Sequence, residues 1–237
     1  MNNKYIFYHL PKTGGQSVKD CLREHLNEHE EFINYCEVGF EAEINLNLIS
    51  WELREQAKRD KAIIVMGHKV TKDTHKLFSP KFHTRHMVVF REPAKLIVSL
   101  YNYTFRFVES PPNFWFWHFK LLLKGHRNWQ ATNFFRHFLR KNYVFSYFLP
   151  DYAFFKNIMD SFWYVGAIEN INHDFNKIMM FFGIKDVSLG KTNISKNSQK
   201  TKKHLVLTPT LRTKLNNIHS MDIKLYEYSL KRDCPSI

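Results

Sequence analysis

Residues 12 to 17 have the types and order expected of an anion-binding loop. In "YIFYHLPKTGGQSV", residues 5 to 18, an apolar run is followed by a lysine, two glycines and three polar side chains. Glycine lets a ligand approach the backbone closely, and the first turn of a helix offers N–H groups to an anion. An ordinary turn with a solvated lysine explains this order less well. The predicted phosphate ligands are Lys12, Thr13, Gly14, Gly15, Gln16 and Ser17.

The order of the loop differs from that of the common nucleotide-binding loop. In G-x-x-x-x-G-K-[ST] the lysine follows the glycines, whereas Lys12 precedes Gly14 and Gly15. The loop is therefore expected to hold a different phosphate group from a magnesium-bound polyphosphate.

Arg91 and Ser99 form a second candidate phosphate site. The apolar run "HMVVF", residues 86 to 90, ends at Arg91, and Pro93 suits the first turn of a helix. Ser99 lies eight residues after Arg91, two turns along that helix. Arginine can bind a phosphate with two donors and serine can add a third. Alone, Arg91 and Ser99 would be read as a surface arginine and a solvent-facing helix serine. Together with the loop at 12 to 17, they favour a nucleotide with phosphates at separate positions.

His68 is the candidate general base. It follows Gly67 at the end of the apolar run 61 to 67, at the sheet edge where Lys12 is expected. Imidazole is the side chain best suited to proton transfer near neutral pH. The chain has 13 histidines, so most of them are bystanders, and His9 and His75 are the competing candidates.

These residues require an α/β framework to bring them together. Continuous apolar runs alternate with helical patterns, which is typical of a parallel sheet buried on both faces. The predicted strands are 4–10, 61–67, 86–90 and 161–167, and the predicted helices are 17–26, 50–60, 93–103, 172–182 and a C-terminal helical region that begins at Thr208-Pro209. Residues 27 to 50 give no clear prediction. We expect one α/β domain over 1–237, with a central parallel sheet flanked by helices in three layers. In such folds ligands bind beyond the carboxyl ends of the strands, where loops 11–16, 67–71 and 91–93 would meet.

Net charge, cysteine spacing and hydropathy limit the expected ligands and location of the protein. The formal net charge is +13 and the isoelectric point is near 9.6, which favours anionic ligands. Cys21, Cys36 and Cys234 are too widely spaced for a disulfide framework or a metal motif, and no ligand cluster suggests a metal. No signal peptide or apolar stretch of membrane-spanning length is recognisable. A cytoplasmic protein is the expectation.

The two phosphate motifs resemble those of a known enzyme family. "PKTGGQS" resembles the 5′-phosphosulfate loop of sulfotransferases that use 3′-phosphoadenosine 5′-phosphosulfate (PAPS), and "VVFREPAKLIVSLYNY" resembles their 3′-phosphate element. Three weaker matches keep the family's chain order: "MGHKV", "NWQATNFF" and "FWYVGAIENINHDFNKIMMFFGI". The resemblance covers roughly residues 4 to 185. It is closest to the carbohydrate branch related to heparan sulfate 2-O-sulfotransferase, and the chain resembles a bacterial member of that branch.

The resemblance implies a fold, a donor and a reaction. The fold would be P-loop-like, PAPS would be the donor, and the acceptor would be a hydroxyl of an oligosaccharide, polysaccharide or glycolipid. By the same resemblance His68 would be the base, Lys12 would stabilise the departing oxygen, and no metal would be needed. A late polar loop, 190 to 204, would close over the nucleotide through Lys191, Asn193 and Ser195; a mobile basic surface loop is the alternative.

Two positions depart from the family pattern, and the acceptor side is less recognisable. Gln16 replaces a threonine and Asn133 replaces an arginine. Glu169 is either an acceptor contact or a carboxylate at a helix start. Residues 104–150 resemble a variable, acceptor-side helical insertion. Within it, the aromatic segment 113–123 either packs in the core or binds a glycan or a membrane surface.

Two other classes of protein remain as alternatives. A nucleotide kinase or other phosphotransferase would need the G-K-[ST] motif and a magnesium-binding carboxylate at a strand end, and the chain shows neither. A nucleic-acid-binding protein would explain the positive charge but not two phosphate motifs, so no nucleic-acid partner is expected. The acceptor, the position sulfated and the oligomeric state are not predicted.

Overall fold

The computed structural model of the protein describes most of the chain. The described residues are 3–28, 30–34, 55–68, 70–104, 127–139, 150–189 and 205–236. The aromatic segment 113–123, most of the predicted insertion 104–150 and the loop 190–204 lie outside these ranges.

Within the described residues, five parallel strands form one sheet. The strands are β1 (Asn3–Tyr8), β2 (Phe32–Asn34), β3 (Ile64–Gly67), β4 (His83–Phe90) and β5 (Tyr164–Ala167), in the spatial order β2-β3-β1-β4-β5. β1 is central: Tyr8 lies beside Gly67 of β3 on one side and beside Val88 of β4 on the other.

Helices connect the strands and cover the sheet. They are α1 (Gly15–His25), α2 (Gln56–Arg59), α3 (Pro93–Thr104), α4 (Trp129–Leu139), α5 (Tyr152–Asp160), α6 (Ile171–Met180), α7 (Pro209–Ile218) and α8 (Ser220–Lys231), with a 3-10 helix at Lys72–Leu77. The side chains of Asp151 and Thr208 cap α5 and α7 by accepting hydrogen bonds from Phe154 N at 2.9 Å and Leu211 N at 3.2 Å. Short polar residues are the preferred N-caps because they satisfy one of the free N–H groups of the first turn.

Two apolar cores lie on the two faces of the sheet. Successive residues of a strand point to opposite faces, so Tyr5 and Phe7 belong to one core while Ile6 and Tyr8 belong to the other. The first core receives buried side chains from α1 and α6, and the second receives them from α4, α5 and α8. The predicted α/β fold, a central parallel sheet covered on both faces, is confirmed.

The element boundaries differ from the prediction in several places. Four strands were expected and a fifth, β2, occurs within residues 27 to 50; its signal is only Phe32 and Ile33 between polar neighbours. Of the expected helix 50–60, the described part is the short α2. β3 begins three residues later than expected, and β4 begins three residues earlier.

The connections diverge between β1 and β4. From β1 the chain passes through α1 to β2, on one side of β1, whereas from β4 it continues through α3 toward β5, on the other side. In open parallel sheets this divergence leaves a crevice beyond the carboxyl ends of the two strands, where ligands bind. The loops that follow Tyr8 and Phe90 therefore border the crevice.

Candidate functional site

The loop after β1 ends in a helix whose N-terminus is arranged for an anion. α1 begins at Gly15, and its N-cap, Gly14, has a left-handed backbone with φ of 84°. Gly14 offers no side-chain cap, and the first turn of α1 contains no acidic residue. Because the first N–H groups of a helix have no partner within it, this end carries both donors and a positive partial charge.

The side chains of the loop have distinct contacts. Lys12 also has a left-handed backbone, with φ of 67°, and its ammonium lies 4.0 Å above the ring of Tyr103 on α3. Thr13 is buried, and its hydroxyl donates to Leu10 O at 2.8 Å. Gln16 Nε2 donates to Asp20 Oδ1 at 2.6 Å. Thr13 therefore supports the turn through its side chain, while Lys12 lies toward the neighbouring helix.

His9 and His68 form a stacked pair beside this loop. Their ring centroids are 4.2 Å apart with an interplanar angle of 21°. His68 Nδ1 lies 2.7 Å from the carbonyl oxygen of His9. A carbonyl oxygen only accepts, so Nδ1 carries the proton, and neutral His68 has its lone pair on Nε2. This is the tautomer that a base acting through Nε2 needs.

Gly15 is required by the ring of His9. A Cβ added at Gly15 would lie 1.9 Å from His9 Nε2, far inside van der Waals contact. The imidazole of His9 is buried against the start of α1, so the loop after β1 and the histidine pair are packed as one unit. His75, the third candidate base, is exposed on the 3-10 helix, and its Nδ1 bonds Lys72 O in its own turn at 2.6 Å.

Arg91 joins the two predicted phosphate sites. Its side chain is half-buried, and Nη1 donates a hydrogen bond of 3.0 Å to the carbonyl oxygen of Lys12. Burial lowers the pKa of Arg91, and the nearby carboxylates of Glu169 and Glu92 oppose that effect. The guanidinium remains charged, because arginine is not deprotonated in proteins. The structure therefore places a fixed positive charge directly beside the loop after β1.

Ser99 and Tyr103 share a face of α3. They are four residues apart, and such residues are neighbours on a helix surface. Because Tyr103 lies against Lys12, Ser99 lies on the side of α3 that faces the loop after β1. Ser99 is half-buried there. Lys12 and Gly14 of the first predicted phosphate site and Arg91 and Ser99 of the second thus border one crevice.

Gln130 lies in the segment "NWQATNFF", which resembles a motif of the family, but it is not among the predicted site residues. It is fully buried on α4. Its Oε1 accepts from Arg91 N at 2.7 Å, and its Nε2 donates to Arg91 O at 2.7 Å. The sequence signal for Gln130 was its place as the glutamine of that weaker motif match.

Asp222 holds the start of α4 in place. It is fully buried on α8 and accepts hydrogen bonds from Gln130 N at 3.0 Å and Ala131 N at 2.8 Å. His219 Nδ1 lies 3.5 Å from the same carboxylate. A carboxylate at a helix N-terminus satisfies free N–H groups and interacts favourably with the helix dipole.

Glu169 has a charge partner in the structure. It follows β5, and its Oε1 lies 3.2 Å from Lys95 Nζ, which also pairs with Glu92 at 3.1 Å. Burial and then the charge of Glu169 raise the pKa of Tyr226 to about 12. These contacts favour a structural role for Glu169.

Asn133, one of the two positions that depart from the family pattern, lies on α4 and donates to Trp129 O at 2.7 Å.

Three predicted nucleotide contacts, Lys191, Asn193 and Ser195, lie outside the described residues. The chain after that segment is bound to α3, since Leu205 N donates to Asn102 Oδ1 at 2.9 Å and Asn102 Nδ2 donates to Leu205 O at 3.2 Å.

Among the described residues, no three histidine, cysteine or carboxylate side chains are grouped as a metal site would require. In the same part of the chain, no helix has the length and apolar character needed to cross a membrane.

Comparisons with known proteins found similarity among solved structures. No family model and no curated protein sequence matched the chain. Among solved structures, the chain is similar to the crystal structure of a sulfotransferase from Alicyclobacillus acidocaldarius, with 12% identity and a TM-score of 0.46. The alignment covers 98% of this chain and 97% of that chain. A similarity at this level assigns neither a family nor an activity.

Proposed function

We propose that the protein is a PAPS-dependent sulfotransferase that acts on a hydroxyl group of a carbohydrate. The observation that carries the proposal is the hydrogen bond between Arg91 and the backbone of Lys12. It joins two elements, each of which resembles a different phosphate site of that enzyme class, at the crevice between β1 and β4. A nucleotide with phosphates at its 3′ and 5′ positions would engage both elements at once.

The residues present suit this nucleotide. Lys12 and the backbone N–H groups from Gly14 to Ser17 would hold the 5′-phosphosulfate at the uncapped start of α1. Arg91 and Ser99 would hold the 3′-phosphate, with arginine as a charged fork and serine as a further donor. Gln16 can also donate through its amide. Asn193 and Ser195 are proposed as further contacts to the nucleotide.

Two side chains would perform the chemistry. PAPS, when bound, supplies the sulfuryl group, which passes to the acceptor oxygen as the bond from sulfur to the phosphate oxygen breaks. The ammonium of Lys12 would stabilise the negative charge that develops on that departing oxygen. Nε2 of His68 would take the proton of the acceptor hydroxyl, because the bond from Nδ1 to His9 O leaves the lone pair on Nε2.

A carbohydrate acceptor is the finer part of the proposal. It is supported by the resemblance of the two phosphate motifs to the carbohydrate branch of the family. The net charge of +13 favours an acidic acceptor, since it would attract polyanions to the crevice. The aromatic segment 113–123 is proposed to contact the acceptor, because aromatic rings can pack on sugar faces.

Calorimetry with adenosine 3′,5′-bisphosphate tests the donor site directly. Binding is expected at micromolar concentrations, and ATP with Mg²⁺ serves as the comparison because a kinase would prefer it. Absence of bisphosphate binding at high micromolar concentration would overturn the proposal. Transfer of radiolabelled sulfate from PAPS to a panel of acidic and neutral polysaccharides then tests the acceptor class; labelling of protein or phenols alone would contradict a carbohydrate acceptor.

A further inference from the structure

Gln130 binds both polar groups of the Arg91 backbone. The two hydrogen bonds, each 2.7 Å long, connect one side-chain amide on α4 to Arg91 N and Arg91 O. Arg91 lies between the end of β4 and the start of α3. Because the backbone leaves regular strand pairing at this point, a side chain from elsewhere in the chain fixes its position.

The neutral amide of Gln130 makes both bonds at this site. Arg91 N needs an acceptor and Arg91 O needs a donor, and the two atoms of one planar amide provide them together. An ionised glutamate has no donor, and a methionine of similar volume has neither group. Because Gln130 is fully buried, an unmatched polar group left here would have no water to replace the lost partner.

The start of α4, which carries Gln130, is held in place by a third element. Asp222 on α8 accepts from the backbone N–H groups of Gln130 and Ala131, at 3.0 and 2.8 Å. A continuous series of hydrogen bonds therefore runs from Asp222 through Gln130 and Arg91 to the carbonyl oxygen of Lys12. The series connects the C-terminal helix to the loop after β1, across residues far apart in sequence.

We propose that Gln130 is a positioning residue for Arg91 and thereby sets the affinity for the nucleotide's 3′-phosphate. The inference rests on the proposed function, since it assigns the 3′-phosphate to Arg91. Gln130 does not touch the nucleotide in this role. It holds the arginine backbone so that the guanidinium points at the crevice.

Two ligands separate this role from a merely structural one. Adenosine 3′,5′-bisphosphate carries the 3′-phosphate, and adenosine 5′-phosphosulfate lacks it. Gln130→Met is expected to weaken binding of the bisphosphate by about tenfold or more, which corresponds to roughly 1.4 kcal/mol. Binding of the phosphosulfate should stay within about twofold, a change below roughly 0.5 kcal/mol. In an Arg91→Ala background, Gln130→Met should cause no further loss of bisphosphate affinity.

Asn133→Ala is the matched control on the same helix. Its amide donates to Trp129 O within the same helix, so both affinities should remain at the wild-type level. Gln130→Leu, which removes both the donor and the acceptor with a smaller side chain, provides the same comparison if Gln130→Met does not fold. Thermal unfolding establishes which variants are folded.

The outcomes distinguish the two proposals. If the wild-type protein binds neither nucleotide, the proposed function fails and the inference fails with it. If the wild-type protein prefers the bisphosphate but the folded Gln130 variants lose both ligands equally, or lose neither, the positioning role alone is overturned. Selective loss of the bisphosphate supports it.

Discussion

Arg91 Nη1 donates a hydrogen bond of 3.0 Å to the backbone carbonyl oxygen of Lys12. The two residues are 79 positions apart and follow two adjacent strands, β1 and β4. The bond connects the loop that begins α1 with the loop that begins α3. It also points the guanidinium toward the crevice between these strands. A ligand bound in that crevice would therefore interact with charged groups from both loops.

Replacing Arg91 is expected to abolish high-affinity nucleotide binding. Arg91→Ala removes a charged phosphate ligand and the bond to Lys12 O, each of which contributes about 1.5 to 3 kcal/mol when a charged donor is involved. Calorimetry should show a loss of affinity for adenosine 3′,5′-bisphosphate of at least tenfold. Arg23→Ala removes the same charge from an exposed pair with Glu28 and should leave affinity unchanged; equal losses in both variants would indicate that net charge alone is responsible.

Removing the side chain of Lys12 should lower turnover strongly while changing the free energy of unfolding only slightly. Glycine is the appropriate replacement, because Lys12 has φ of 67° and only glycine adopts this conformation without steric cost. The relief of that cost offsets the lost contact with Tyr103, so the free energy of unfolding should change by less than about 1 kcal/mol. Turnover should fall by about 10²-fold or more. Lys58→Ala, on the exposed α2, is the control for charge, and normal turnover in Lys12→Gly would exclude Lys12 as the group that stabilises the leaving oxygen.

His68→Asn tests the base without disturbing the fold. The asparagine amide can still donate to His9 O, whereas it cannot accept a proton as imidazole does. Turnover is expected to fall by about 10²-fold or more, with little change in nucleotide affinity. His75→Ala, on the exposed 3-10 helix, should behave like the wild type.

A pair of variants tests the packing of His9 on Gly15. In Gly15→Ala the new methyl group would lie 1.9 Å from His9 Nε2, so the ring must move, at a cost of about 1 to 3 kcal/mol in the free energy of unfolding. Denaturant unfolding measures this change. Adding His9→Ala removes the obstructing ring and should recover most of the loss. If the double variant is as unstable as the sum of the two single variants, the two residues are not in contact.

His86 is expected to make the protein less stable in acid. Burial lowers the pKa of His86 to about 4 from its ordinary value of 6.5, and the charge of His75 acts in the same direction. The unfolded state therefore binds a proton that the folded state does not, and stability falls as the pH falls from about 6.5 to about 4. The full loss is about 3 kcal/mol.

The acid dependence is measured by unfolding at several pH values. In His86→Leu, the part of the slope between pH 6.5 and 4 that belongs to this residue should be absent, although the variant loses the bond between Tyr8 and His86 Nδ1 at every pH. His83→Gln, at the exposed start of the same strand, should keep the wild-type slope. A wild-type slope in His86→Leu would contradict the assignment.

Local order along the chain was enough to predict the fold class, and it placed the candidate phosphate-binding residues at the ends of two strands. The apolar runs before Pro11 and Arg91 are continuous, as strands buried on both faces must be, and the residues at their ends are the ones a phosphate loop needs. β2 was missed because three residues carry too little periodicity to be recognised. Element ends shifted by a few residues because pairing with neighbouring strands, rather than local preference, decides where a strand begins.

Contacts between distant segments could not be read from the sequence. The stacking of His9 on His68, the bond from Nδ1 that sets the tautomer of His68, and the two bonds from Gln130 to Arg91 all depend on which strands and helices are neighbours. Sequence patterns report the period of a helix or strand but not the order of strands in a sheet. The chemistry of the loops is thus local, whereas the alignment of their side chains is a property of the folded sheet with its C-terminal helix in place.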